Sequence, residues 1–258
     1  MERLVEHRST GLTAAGLRKW GILFLLSGII SRAILQNGLL GMAEATSDQL
    51  LALFESKPDM MGVAAGALVL EALETCAIPV FCFLLVEGFL AAVDVKAYLM
   101  KVLTVALVSE IPYNLAMGGK LLDLSGRNPA FGLVLGLVMM HFFRVYEEKG
   151  TKNILTKLMV VAAAFVWSLI LKIQHGEAIV IMVGMLWLAR NKPNMRTLYG
   201  CVGAGICCAF SVFYMVSPMG MMVLHFFNGE PGEEHELVRY WAYPVLLAAC
   251  AAVSHFAL

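Results

Sequence analysis

Long apolar runs divided by short polar punctuation set the character of this chain. They fall at 19–42, 61–93, 97–117, 129–145, 154–171, 173–189, 197–227 and 237–256. A membrane-crossing helix needs about 20 apolar residues at 1.5 Å rise each. The spacing therefore predicts an all-α fold, a polytopic transmembrane helical bundle of about eight spans. The second run is too long for one straight helix and contains Pro79, which lacks an N–H and clashes with the preceding turn. The seventh is also long and is divided by Ser217-Pro218, while the third carries Pro112. Kinks or breaks are expected at these three prolines, and a hairpin at Pro218 would raise the count to about nine or ten. The sixth run is short enough to be tilted or re-entrant.

Composition agrees and removes other classes. Of the 258 residues, 60% are hydrophobic and 15% charged, with a mean hydropathy of +0.78. Soluble domains carry about 25% charged residues. The 19 basic and 19 acidic residues cancel, which leaves no electrostatic footprint for nucleic acid. The six cysteines lie in apolar runs without a C-x-x-C pair and read as small buried hydrophobes. The first run outlasts a signal-peptide core and contains Arg32, so Ala43-Glu44-Ala45 is not read as a cleavage site. The chain reads as one transmembrane domain, 1–258, with 1–18 a cytoplasmic segment. Basic residues before the first run, at Lys96 and Lys101, in 144–157 and in 190–196 oppose acidic loops at 43–60 and 230–236. That alternation predicts a multi-pass membrane protein of eight spans with both termini cytoplasmic.

Five charges interrupt the apolar runs: Arg32, Glu71, Glu74, Glu87 and Glu110. An ionised group at the bilayer centre costs about 3 kcal/mol on insertion scales, so such groups must be paired, neutralised or used. Arg32 lies about 20 Å into the first run, beyond simple snorkelling. It is expected to face the interior and pair with Glu74 or Glu71, with Glu110 the third choice. Glu87 falls near the cytoplasmic end of its helix, beside Gly88, which leaves room for close approach. Glu110, Tyr113 and Asn114 stand at i, i+3, i+4 and share a helix face. Asn128 before Pro129 reads as a helix cap with an N1 proline. Asn228-Gly229-Glu230 reads as a turn, and the segment from Tyr240 through Tyr243 to Pro244 opens the last helix. The histidines, including His175 in a short loop, show no metal-ligand spacing, and no metal is expected. No G-x-S-x-G, P-loop or dinucleotide glycine pattern is present.

The run IPVFCFLLVEGF at 78–89, SEIPYN at 109–114 and RNPAF at 127–131 follow one another in an order similar to the core of the TraX family. The segments after Phe227 and around Tyr243 resemble that family's closing motifs, so the likeness covers most of the chain from Ile78 onward. The resemblance implies a polytopic bacterial inner-membrane protein and acetyl transfer from acetyl-CoA, because the family's namesake N-acetylates a pilus subunit. It further implies acyl-CoA and a pilin-like or other membrane-proximal acceptor as partners, besides the lipid bilayer. Two departures stand out. Family members commonly carry an Asp-His pair in the first span, where this chain has Ile29, Ile30, Ser31 and Arg32. An arginine common before the PxF motif is replaced here by Glu74-Thr75-Cys76.

Acyl transfer needs a base for the acceptor and donors for the developing oxyanion. The expected catalytic residues are Glu87 and Glu110. The expected substrate-binding residues are Tyr113, Asn114, Asn128, Arg32, Asn228 and Tyr243. Intramembrane carboxylates equally suit a proton-coupled carrier or a non-catalytic protein on the same scaffold.

Overall fold

The computed structural model describes residues 11–42, 46–123, 125–147 and 151–256. Arg3 and Arg8, the tripeptide 43–45 and part of the basic loop 144–157 lie outside them. Thr13 caps α1 (Ala14–Ile29) by accepting from Gly16 N at 3.2 Å, and the helix continues as a π-wound stretch, Ile30–Leu39. A short helix, α2 (Ser47–Ser56), starts at a reciprocal Thr46–Gln49 capping box. There follow α3 (Asp59–Glu74), α4 (Ala77–Ala91), α5 (Val95–Gly118), α6 (Ala130–Val145), α7 (Thr151–Ile170), α8 (Gly176–Leu188), α9 (Arg196–Cys207), α10 (Pro218–His225) and α11 (Glu236–Phe256). Among the described residues there is no strand, only two isolated bridges. The all-α bundle expected from the apolar runs is what forms.

Among the described residues four stretches are long and apolar enough to cross a membrane: Ala14–Leu39, Asp59–Ala91, Lys152–Ile170 and Glu236–Ser254. The remaining runs form shorter or more polar helices. α8 buries most of its length, from Ala178 to Trp187, against α4, α6, α7 and α9. A helix enclosed by protein is not required to match the bilayer thickness by itself.

The second run breaks at Thr75–Cys76, ahead of Pro79. The proline ring would collide with the carbonyl of Thr75, so α4 starts afresh with Pro79 in its first turn, where no N–H is needed. Pro112 behaves differently, since α5 runs through it without interruption. The seventh run is a hairpin. Beyond α9 a tight turn over Val212–Met215 precedes α10, which Pro218 opens. The Arg196 guanidinium at the start of α9 lies 4.6 Å from the Phe83 ring and 5.7 Å from the Phe227 ring beyond α10. Both legs therefore begin and end on one side.

That hairpin changes the expected topology. Leu12 N donates to Phe226 O at 2.7 Å, and Ala14 N to Glu230 O at 2.8 Å. The acidic segment before α11 thus lies beside the start of α1. Leu247, Cys250 and Ala251 of α11 pack with Ile29 and Ala33 of the first helix. The two helices run the same way, so the start of α1 and the end of α11 lie at opposite ends of the bundle. The expectation of two cytoplasmic termini concerns residues 1–10 and 257–258, which lie outside the described residues. Within the acidic segment Glu234 is no solvated loop acid: its side chain is 3% exposed, held by Arg18 and Arg239. Reporters fused ahead of α1 and after α11 are expected to fall on opposite faces; reporters on the same face would refute this arrangement.

The inner ends of the short helices meet at one level. Thr75 Oγ1 donates to Phe213 O at 3.2 Å, and Cys76 Sγ to Val216 O at 3.3 Å. Gly220 permits this approach, because a Cβ there would stand 2.3 Å from Cys76 O and 2.7 Å from Pro79 Cγ. Gly220→Ala is expected to cost about 1–3 kcal/mol, since backbone must move to relieve the clash. Gly205→Ala on α9, where nothing lies within 4 Å, is the control and should be neutral or stabilising by up to about 1 kcal/mol. Unfolding midpoints in detergent read both; equal midpoints for the two variants would contradict the packing described.

Candidate functional site

Arg32 stands on the π-wound part of the first helix, and its Nη2 lies 3.0 Å from Glu71 Oε1 and 3.3 Å from Glu74 Oε2. The pairing expected from the sequence is present, with both preferred carboxylates at once. Gln36 Nε2 donates to Glu71 Oε2 at 3.2 Å and to Ser31 Oγ at 3.1 Å, and Ser31 Oγ donates to Ala67 O at 2.7 Å. Gly28 makes the arrangement possible. A Cβ there would lie 2.2 Å from the Glu74 carboxyl, so a larger residue would evict that side chain.

Glu74 also meets His175, whose Nε2 is 3.9 Å from Glu74 Oε2. His175 sits in the turn between α7 and α8 with φ of 56°, and Lys172 in the same turn has φ of 52°. Left-handed conformations at two non-glycine residues in one short turn cost stability, and such strain concentrates at functional positions. Tertiary contacts hold the turn: Arg127 N donates to Lys172 O and Gln174 N to Arg127 O, each at 2.9 Å.

A directional hydrogen-bond chain runs through the ring. Tyr113 Oη donates to Gln174 Oε1 at 2.6 Å, which turns the Gln174 amide nitrogen toward His175 Nε2 at 3.3 Å. On the other side Tyr214 Oη donates to Glu177 Oε1 at 2.8 Å and lies 2.8 Å from His175 Nδ1. A hydroxyl that gives its proton to a carboxylate must accept from the ring, so Nδ1 carries the hydrogen and Nε2 the lone pair. That lone pair is on the side of Glu74.

Glu74, His175, Pro129 and Tyr243 line the polar end of a cavity of about 230 Å³. Ile78, Phe81, Leu84, Val102 and Leu133 make its middle apolar, and Arg18, Arg239, Tyr98 and Tyr240 line its other end. Along α4 its lining runs from Ala77 to Gly88, about 16 Å at 1.5 Å per helical residue, with Glu74 beyond the break.

The other expected residues are distributed unevenly about this cavity. Glu110 is buried and committed: Asn128 Nδ2 donates to its Oε2 at 2.7 Å and Arg127 Nη1 to its Oε1 at 3.1 Å. Asn128 gives a second hydrogen bond to Ala106 O at 2.9 Å and caps α6 by accepting from Ala130 N at 2.9 Å. Both therefore join α5 to α6. Glu87 lies towards the end where α4 terminates, in electrostatic contact with Arg196. The geometry does not bring Glu87 and Glu110 together, and neither lines the cavity. Asn228 shapes the turn ahead of α11, its Oδ1 accepting from Glu230 N at 2.9 Å. Asn114 is 2% exposed, and its Oδ1 has no hydrogen-bond partner. It borders a separate small pocket with Tyr113, Asp123 and Ser125. Asp123 there is held below the ordinary carboxylate range, chiefly by the hydrogen bond from Ser125 N at 2.8 Å.

His175 is the functional candidate that residue patterns missed. Its signal was local: an amide, an imidazole, a glycine and an acid in sequence at 174–177, between two apolar runs.

A family model described as TraX protein matches residues 38–254. The chain belongs to the TraX family. No curated protein and no solved structure matches it. The matched region spans Glu71, Glu74, Tyr113, His175 and Tyr243, while Arg32 and Arg18 precede it.

Removing Arg32 strands two glutamates in the interior. Arg32→Leu is expected to destabilise by about 3–5 kcal/mol, the range for breaking a buried pair. Adding Glu71→Gln should recover part of that loss, and only part, because Glu74 stays charged. Denaturation of the single and double variants measures this; a double variant no more stable than Arg32→Leu would show that the pair is not coupled.

Proposed function

We propose that this member of the TraX family is a membrane-embedded acyltransferase that moves an acetyl group from acetyl-CoA to a protein N-terminus or another acceptor at the membrane. The observation that carries the reading is the single cavity that joins two arginines at one end to His175 and Glu74 at the other. A pantetheine arm extended from phosphate to thioester sulfur covers roughly 16–18 Å at ordinary bond lengths. The cavity, lined by α4 over about 16 Å from Gly88 to Ala77 and reaching His175 and Glu74 beyond, would take that arm with its phosphates at the arginines and its thioester beside His175. The apolar middle suits the arm's gem-dimethyl and methylene groups. Little length remains for the acyl group, which favours acetyl over long chains.

The chemistry then follows from the ring's tautomer. His175 Nε2 takes the proton from the acceptor amine or hydroxyl as the nucleophile attacks the thioester carbonyl. The Tyr243 hydroxyl donates to the oxygen on which charge develops. As the tetrahedral intermediate collapses the C–S bond breaks, and the departing thiolate takes the proton from His175. Glu74 faces the imidazolium while it exists, and the Tyr214–Glu177 pair fixes the ring through Nδ1. Glu110 and Asn128 support this site by joining α5 to α6 beside it. His175 thus supplies on the α7–α8 turn the imidazole that the first span lacks.

Positive-charge bias supports a cytoplasmic position for the arginine end in a bacterial inner membrane, because Lys96, Arg144, Arg190 and Arg196 all stand at that end. The donor would enter there.

Transfer of radiolabelled acetyl from acetyl-CoA by the purified protein in detergent tests the reading. His175→Asn keeps a residue that tolerates the left-handed backbone and should lower kcat about 10²–10⁴-fold, with donor affinity retained. Tyr243→Phe should lower it about 10²–10³-fold. Full turnover by His175→Asn would remove His175 from the chemistry; absence of transfer by the intact protein to any amine or hydroxyl acceptor would remove the activity.

A further inference from the structure

Arg18 and Arg239 come from helices far apart in sequence, yet one carboxylate oxygen serves both. Glu234 Oε2 accepts from Arg18 Nη1 and lies 3.5 Å from Arg239 Nε. The Glu234 side chain is 3% exposed and that of Arg18 14%. Glu234 Oε1 is buried without a hydrogen-bond partner. Two guanidiniums and one carboxylate leave a net positive charge, and each arginine keeps N–H donors that Glu234 does not engage. Both arginines line the cavity, whereas Glu234 meets them from the segment between α10 and α11. The other charged pair nearby, Lys101 with Glu236 at 2.6 Å, is exposed and self-neutralised.

We propose that Arg18 and Arg239 form a binding site for a diphosphate-type anion, in which Glu234 is a resident counter-ion that partly surrenders the guanidiniums when the ligand binds. Guanidinium forks match phosphate oxygens, and two of them at a cavity mouth suit a pyrophosphate group better than a single carboxylate does. Assignment of that anion to the acyl donor rests on the acyltransferase reading; the anion site itself does not.

The segment that carries Glu234 is docked tightly. Ala14 N and Ala15 N, the first free donors of α1, are taken by Glu230 O at 2.8 Å and Pro231 O at 3.0 Å. Gly232 has φ of 69°, and a Cβ there would stand 2.4 Å from Thr13 Oγ1. Glu234 is therefore held in place and does not swing away as a lid. Exchange happens at the guanidiniums, which have unused donors, while the carboxylate stays behind them. Linkage gives this a sign opposite to that of an ordinary loss. Without Glu234 the ligand-free protein holds two adjacent like charges, Arg18 largely covered and Arg239 part-exposed, and an incoming anion relieves them.

The test is thermal unfolding in detergent with sodium pyrophosphate, and separately with coenzyme A, for wild type, Glu234→Gln and Arg239→Gln. Glu234→Gln should melt below wild type without ligand, gain more from pyrophosphate than wild type gains, and bind it about tenfold more tightly. Arg239→Gln should lose most of the pyrophosphate response. A Glu234→Gln deficit that pyrophosphate does not reduce, or an unchanged response in Arg239→Gln, overturns the proposal. Stabilisation by pyrophosphate but not by coenzyme A upholds the anion site and counts against the donor assignment alone.

Discussion

An arginine held between two glutamates inside an apolar bundle is the constraint on which the rest of the structure depends. Arg32 cannot be solvated by lipid, and neither can Glu71 or Glu74, so the helices that carry them must stay in register. Gly28 exists at the crossing because Glu74 has to pass there to reach the guanidinium. The charges do not balance by themselves, since two carboxylates face one arginine. The next ionisable group is His175, 3.9 Å from Glu74. Glu74 Oε2 has ion-pair neighbours but no directed hydrogen bond, so the acceptor that faces the ring is not fully spent. In the proposed reaction an imidazolium formed at His175 would complete the charge balance beside Glu74, a charge stabilised in advance by a fixed carboxylate.

The short helices serve this cluster. α4, α6, α8 and α10 all end at the level of the Thr75–Cys76 break, and their ends bring Pro129, His175 and Tyr214 to the ion network. A continuous second span would carry a helix through that level and leave no room for the turn from α9 to α10. Pro79 prevents it, through the carbonyl clash that starts α4 afresh. Local covalent geometry at one proline thus decides where the interior of the bundle becomes polar.

Much of this was legible in the sequence. The apolar runs fixed the class, and depth alone said that Arg32 must pair inward with Glu71 or Glu74. The i, i+3, i+4 spacing put Glu110 and Tyr113 on the interior side of α5. What they do there was not legible, because their partners come from elsewhere in the chain: Arg127 and Asn128 from the α6 entrance, Gln174 from the turn after α7. His175 escaped for the same reason. A histidine in a short loop has no periodicity to read, and its significance comes from Glu74, Tyr214 and a backbone conformation that only tertiary contacts sustain. Glu234 was not legible as an interior residue, because its position in the sequence is that of a loop although its carboxylate is buried between two arginines. Orientation rules count lysine and arginine near span ends, and acids contribute little to them.

Under the proposed acyltransferase reading, an imidazole on the α7–α8 turn suits this scaffold because the requirements of acyl transfer are geometric. A base must reach the acceptor, a donor must reach the oxyanion, and the thioester must be delivered to both. In this chain the first helix gives its central position to Arg32, whose charge anchors Glu74, and Glu74 in turn faces the ring that occupies the cavity's polar end. The arginine in the first span and the glutamate before the PxF motif therefore act on the histidine from behind. Had Glu74 lacked Arg32, it would be an unpaired buried carboxylate, costly to the fold and free to neutralise itself by taking a proton. Paired, it stands beside His175, where the proposed reaction would form a transient positive charge. Arg32, Glu74 and His175 are thus coupled to one another through one site.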